Sequence, residues 1–299
     1  MAAKAYLLLT TTMLCWGGNV IAGKLAVGHI SPALLSSGRW VIALMVILPF
    51  AMPHLRRDWP TIRANLPFLL VMGCIGFALF NNIYYLALNH TSAINAAIEQ
   101  ASMPLLVFAA NFLIFGQRVS AGQIVGFFVS LAGVSLVATN GNITGLFRLE
   151  VGYGDALLLL AIAFYGLFTV LLRWMPRLHW LSSLSVLAMG ALIGCAPFVG
   201  FEYSGDHIIL PDLQGWLVLI FAAIFPSIIS QATYIRGVAL IGANRGGLFI
   251  NLVPIFGTLF AVTLLGEQMQ VHHVVGLVLV LGGIALAERK PRVETSAGE

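Results

Sequence analysis

Glu99 is the one carboxylate the sequence places deep inside a long apolar run, and it does not stand alone there. Thr91, Asn95, Glu99 and Ser102/Met103 recur at helical spacing and form one polar stripe ahead of Pro104. A carboxylate in that setting has two chemical uses, binding a substrate amine or carrying a proton, and one structural use, as a neutral hydrogen-bonded side chain. Other apolar runs carry similar stripes. Thr12, Trp16, Asn19 and Gly23 share a face that joins an aromatic wall to an amide. Asn81, Asn82, Tyr84 and Tyr85 lie in another run, and Ser227, Ser230, Gln231 and Tyr234 in a third. Tyr165 and Thr169 are one turn apart, and Asn244 and Asn251 fall on one face before and beside Pro254. Each has a plainer reading: a packed Trp, an interhelical hydrogen bond, or a Tyr anchored at a membrane interface.

Several chemistries are absent from the pattern. The phosphate-binding loop with Lys-Ser/Thr is missing, and Gly152-Tyr153-Gly154 lacks the rest of a dinucleotide fingerprint. His272 and His273 are adjacent, so their side chains point about 100° apart on a helix instead of converging on a metal, and an interfacial pair is the simple expectation. There is no GxSxG elbow. Cys15, Cys74 and Cys195 lack ligand spacing and read as packing residues. No enzyme activity, metal or cofactor is expected.

The elements that must position these residues are membrane spans. With 60% hydrophobic and 9% charged residues among 299, and a mean hydropathy of +0.96, the chain cannot coat a soluble globule. A span needs about 20 apolar residues. Ten stretches qualify: 5–26, 32–52, 66–88, 91–115, 120–140, 152–174, 180–200, 214–238, 243–265 and 271–288. They form a single transmembrane domain over 1–290, with a short polar tail at 291–299. With the N-terminus inside, 12 of 15 basic residues fall on the cytoplasmic side, so both termini are expected in the cytoplasm. Net charge +4 follows from this sorting and does not indicate nucleic acid as a partner.

The chain also repeats itself. At a constant offset of 150, Tyr84 pairs with Tyr234, Pro104 with Pro254, Gly116 with Gly266, Gly126 with Gly276 and Gly133 with Gly283. Tyr165 falls 149 positions after Trp16. Five spans per repeat, an odd number, predicts that the repeats (about 4–140 and 150–290) are inverted. Pro104 and Pro254 mark expected bends. Arg39, about 10 Å into its span at 1.5 Å per residue, has no charged counterpart in the second repeat; its side chain is long enough to snorkel outward, and a structural or gating role is expected ahead of direct substrate contact. The Gly- and Val-rich spans five and ten offer a surface for a homodimer or for lipid.

Cys15-Trp16-Gly17-Gly18-Asn19, Ser31-Pro32 followed by Arg39-Trp40, Pro104 before Phe115-Gly116-Gln117, and Pro254 before Leu265-Gly266-Glu267 resemble EamA-type members of the drug/metabolite transporter superfamily. The resemblance implies an all-α polytopic membrane protein of ten transmembrane helices in two inverted five-helix repeats, with spans one to four and six to nine around a central cavity and spans five and ten peripheral. Within that family the chain looks most like bacterial inner-membrane exporters of aromatic and other hydrophobic amino acids. On this reading the substrate contacts are Trp16, Asn19, Asn82, Tyr85, Asn95, Glu99, Met103, Tyr165, Thr169, Gln231, Tyr234 and Asn251, and the hinges are Arg39, Pro104 and Pro254. A proton-coupled exporter of drugs or cations is the alternative, and a membrane-embedded enzyme or scaffold comes third.

Overall fold

A computed structural model describes residues 2–100, 102–103, 106, 112–113, 116, 121–139, 141–142, 152–241 and 249–288. The expected hinge Pro104, the adjacent Asn244 and Arg245, and the tail lie outside the described residues. The described chain is all-helical. Its elements are α1 (Ala2–Leu25), α2 (Pro32–Ala64), α3 (Leu66–Ala87), α4 (Ala93–Gln100), α5 (Ala121–Ala138), α6 (Tyr153–Leu171), α7 (Trp180–Ser204), α8 (Leu213–Ala223, Ile224–Ile229 and Ser230–Ile241, continuous), α9 (Leu252–Leu265) and α10 (Val271–Glu288). Six of these contain windows long and apolar enough to cross a bilayer, and α5, α9 and α10 are shorter apolar helices. Helices suit this composition because every backbone group is satisfied within its own segment where water is absent.

One boundary departs from expectation. The apolar run of α2 fades near residue 52, yet the helix continues through Pro53 and Pro60 to Ala64, 33 residues or about 50 Å. Its last turns carry exposed Arg56, Arg57 and Trp59. Hydropathy marks where lipid ends, and here the helix does not end with it.

Polar side chains fasten the helix ends. The Glu267 carboxylate, just after α9, accepts the Ala93 and Ile94 amides at the start of α4, at 2.8 and 3.0 Å. Glu202 at the end of α7 accepts the Ala33 amide of α2 at 3.0 Å. Each anion sits where a helix N-terminus presents unsatisfied N–H groups and a positive dipole. Lys24 donates to the Leu88 and Thr91 carbonyls at 2.9 and 2.7 Å, the complementary arrangement at a C-terminal end. In the α7–α8 connection, the Gly215 amide and then His29 hold the Asp212 carboxyl below the usual carboxylate range.

The sequence repeat is present in the backbone. A π-helical turn, Cys74–Leu79, interrupts α3, and a second, Ile224–Ile229, interrupts α8 at an offset of 150. The limits of α5 and α10 differ by the same 150. Gly116 and Gly266 both adopt positive φ, 59° and 67°, a region open to glycine without steric cost. Contacts give the directions of the helices. Leu9 meets Gly237, Thr12 meets Thr233 and Trp16 meets Ser230, so α1 and α8 run antiparallel. Gly76 meets Phe168, Phe80 meets Tyr165, and Gly154 meets His90, so α3 and α6, the counterparts of α8 and α1, do the same. Asn19 meets Tyr85 and Lys24 meets Leu88, making α1 and α3 parallel and α1 antiparallel to α6.

Spans α5 and α10 turn their small-residue faces on each other. Ser130 donates to the Val280 carbonyl at 3.0 Å, and the backbones approach at Gly133–Gly276 and Gly126–Gly283. Their outer surfaces keep apolar side chains exposed, Ile124, Phe128 and Leu131 on α5 and Val274 and Val278 on α10. A Cβ on Gly283 would collide with the Gly126 carbonyl and the Ser130 hydroxyl, whereas one on neighbouring Gly282 meets nothing within 4 Å. Gly283→Val is expected to destabilise the protein by about 1–3 kcal/mol through overpacking, seen as a lower thermal midpoint in detergent, while Gly282→Ala leaves the midpoint unchanged.

Candidate functional site

Two buried polar clusters form where the repeats meet. The first is built on Arg39 of α2, which is 4% exposed. It does not snorkel, because its donors are satisfied inside. Nε and a terminal nitrogen donate to the Ser227 hydroxyl at 3.0 and 2.7 Å, and the other terminal nitrogen donates to Asn81 Oδ1 at 2.9 Å and to the Tyr85 hydroxyl. Tyr85 passes its own proton to Asn19 Oδ1 at 3.0 Å, so α1, α2, α3 and α8 are joined through one guanidinium. The π turn of α8 presents Ser227, whose hydroxyl donates back to the Ala222 carbonyl at 2.8 Å, five residues earlier. Arg39 also lies 5.3 Å from the Trp40 ring and 5.9 Å from the Tyr85 ring, within cation–π range. Among the described residues no carboxylate pairs with it.

Aromatic side chains from both repeats surround this cluster. Trp16 donates its indole N–H to Ser230 at 3.0 Å and lies 5.6 Å from the Tyr234 ring. Tyr165 packs 4.8 Å from Phe80, which in turn contacts Tyr84 at 5.4 Å. Tyr84 is fully buried and its hydroxyl has no hydrogen-bond partner among the described residues, so it is no interfacial anchor. Gln231 and Met103 are half-buried, and the Thr169 hydroxyl is used on the Tyr165 carbonyl at 2.8 Å. Asn82 points elsewhere: its amide donates to Ser36, Ala78 O and Cys195 at the α2–α7 face. Asn251 belongs to a 3-10 turn, Phe249–Asn251, and Pro254 falls in the first turn of α9, where its missing N–H breaks no helical bond.

The second cluster surrounds Glu99, which is wholly buried. Among the described residues neither of its oxygens makes a hydrogen bond of ordinary geometry, and the ionisable group facing it is Asp155. Asp155, 3% exposed in the first turn of α6, accepts from the Thr91 hydroxyl and from Asn95 Nδ2 at 3.3 Å. Asn95 Oδ1 pairs with His273 Nε2 at 3.1 Å. His273 is therefore no surface histidine. Asp155 and His273 were missed by sequence reasoning because each stands at the edge of an apolar run. The signal for Asp155 was its place opposite the Thr91–Glu99 stripe, visible only once α4 and α6 are neighbours. A cavity of about 790 Å³ lies beside this cluster, lined by Lys24, Asn95, Asp155, Glu267 and His273 among others, and so drawn from both repeats.

A ten-segment helical membrane protein whose polar core and cavity are assembled from two copies of one five-helix unit is built as a transporter. The chain belongs to the EamA-like transporter family, whose pattern it matches twice, over residues 3–139 and 152–288. It is 27% identical over 296 residues to the uncharacterized transporter YyaM of Bacillus subtilis, covering 96% of this chain and 94% of that one. A probable amino-acid metabolite efflux pump of Salmonella typhimurium is 23% identical over 299 residues, covering 95% and 94%. A solved crystal structure, 20% identical, superposes with a TM-score of 0.63 over 96% of this chain and 97% of its own, which shows the shared fold.

Ser227 is the shared acceptor for two guanidinium N–H bonds. Ser227→Ala is expected to cost roughly 1.5–3 kcal/mol, the range for hydrogen bonds to charged groups, measured as a loss of thermal stability in lipid nanodiscs. Asn82→Ala at the α2–α7 face should cost less, because no charge depends on it.

Proposed function

We propose that this protein is a secondary transporter that exports small zwitterionic metabolites, with aromatic and other hydrophobic amino acids as the substrate class, by alternating access of two inverted repeats. The observation that supports it best is that the polar and aromatic groups at the core come from both repeats: Trp16 with Ser230 and Tyr234, and Arg39 with Asn81, Tyr85 and Ser227. In this reading Trp16, Tyr165 and Tyr234 receive the apolar side chain. Asn19, Asn95 and Gln231 orient the backbone polar groups, and Arg39 governs the movement. The antiparallel relation of α1 and α6 supplies two pseudo-equivalent halves whose rocking exchanges one opening for the other. The name of the Salmonella relative is compatible with this substrate class. Basic-residue sorting supports a plasma-membrane orientation with both termini inside.

One observation favours a second reading, proton-coupled export of lipophilic cations: Glu99 is a buried carboxyl without a cationic partner among the described residues. Purified protein in liposomes separates the two. Labelled phenylalanine and tryptophan are expected to cross faster than in protein-free vesicles, and Trp16→Ala should reduce that flux with little effect on a small substrate such as labelled alanine. Flux of amino acids at the protein-free level, together with movement of a tetraphenylphosphonium probe, would establish the cation exporter instead.

A further inference from the structure

The cavity and the buried carboxyls meet at Asp155. Glu99 lies behind it, away from the cavity lining, while Asp155 itself lines the cavity together with Asn95 and His273. The Thr91 hydroxyl and the Asn95 amide both donate to Asp155 Oδ1, and Thr91, Asn95 and Glu99 follow one another every four residues, so the α6 carboxyl lies along the stripe of α4 and its leading turn that ends in the buried Glu99. The Gln270 amide donates to His273 Nδ1 at 3.1 Å, which leaves the ring proton on Nε2 to be donated to Asn95 Oδ1. That bond turns the Asn95 NH₂ group toward Asp155. The order from solvent to interior is therefore fixed by hydrogen-bond polarity.

Among the described residues no cation forms an ion pair with either carboxyl. Lys24 of α1 donates to the Leu88 and Thr91 carbonyls, and His90, which also lines the cavity, packs edge-on against Tyr153. Glu267, between α9 and α10, caps α4. His272 lies tilted against His273, their ring centroids 4.1 Å apart. The described residues of α5 and α9, both packed against α4, contain no titratable side chain. Two carboxyl groups that face one another in a low-dielectric interior without a cation repel when both are ionised, and one proton held between them relieves the repulsion.

From this juxtaposition we infer that Glu99 and Asp155 form a proton-binding site loaded from the α4–α6–α10 cavity, and that its occupancy drives transport. The inference rests on the transporter reading and adds the coupling ion to it. A proton taken from bulk solvent and relayed through the cavity water binds the Asp155 carboxylate. The Asp155 O–H then donates to a Glu99 oxygen, so that the pair carries one proton and one negative charge. Thr91, Asn95 and His273 are positioning residues that keep Asp155 between water and Glu99.

Two measurements test this on the full chain in lipid. Infrared spectroscopy should show a protonated-carboxyl band that is lost in Glu99→Gln, shifted in Asp155→Asn, and moved but kept in Thr91→Val; absence of such a band from the unaltered protein overturns the inference whatever the substrate. In liposomes, acceleration of labelled-phenylalanine counterflow by an imposed pH gradient should be lost in both Glu99→Gln and Asp155→Asn, while counterflow without a gradient should survive Asp155→Asn. Surviving counterflow also shows that a variant is folded. Gradient-driven flux that persists in both variants refutes the site. If Glu99→Gln stops counterflow as well while the infrared band remains in the unaltered protein, the carboxyl binds the substrate ammonium and the coupling role is refuted. Failure of counterflow in the unaltered protein sinks the amino-acid reading and leaves the infrared result to decide the proton site.

Discussion

Hydrocarbon offers no water to complete a hydrogen bond, so polar side chains inside this bundle bond to carbonyls of their own helix or to groups on a neighbouring one. That requirement holds the helices in register. Arg39 is the extreme case: a cation 4% exposed, solvated by a hydroxyl, an amide and a phenol carried by α3 and α8. Apolar packing alone holds such helices weakly, since lipid tails are as apolar as leucine, and single interhelical hydrogen bonds contribute only about 0.6–1.7 kcal/mol. Close backbone approach at Gly133–Gly276 and Gly126–Gly283 and a shared guanidinium therefore set the arrangement of α5 with α10 and of α2 with α3 and α8.

The same constraint accounts for the π turns. A π turn shifts the faces of a helix and frees a carbonyl from the regular ladder, and such turns concentrate at functional sites. In α8 the carbonyl of Ala222 is taken by Ser227, and the displaced Ser227 oxygen becomes the acceptor for Arg39. In α3 the turn ends one residue before Phe80 and places Asn81, whose amide returns to the Phe77 carbonyl at 2.6 Å while its oxygen faces Arg39. Two repeat-related irregularities thus converge on one side chain that the second repeat lacks. The asymmetry resides in the residues, and the backbone keeps the symmetry.

Much of the fold was legible in the sequence because the two signals that specify it, run length and the offset of 150, survive without structural context. The all-α class, the two copies and the spans around Trp16, Arg39 and Tyr165 follow from them. What was not legible depends on pairing across the chain. The partner of Arg39 is 188 residues away, so a lone arginine near a span end read as snorkelling. Asp155 and His273 stood at the margins of apolar runs, where titratable side chains ordinarily meet water, and only the packing of α6 and α10 on α4 buries them. Pro226 gave a local hint of the turn in α8, whereas the matching turn in α3 contains no proline and no such hint. Asn82 shows the opposite failure, since its neighbour Asn81 alone faces the guanidinium.

The central proposal is that two inverted repeats exchange conformations, so that opening at one end of the bundle accompanies closure of the repeat-related contact at the other. Spin labels at Tyr6 and Leu240 report the α1–α8 contact near the N-terminal end of α1, and labels at Ala156 and His90, related to them by the same offset of 150, report the equivalent α6–α3 contact. All four positions are exposed. The distance distributions of the two pairs, recorded in lipid with and without phenylalanine, should each contain a short and a long population, with the long population of one growing as that of the other declines. Single, unchanging distances in both pairs, or changes of the same sign, would contradict the account.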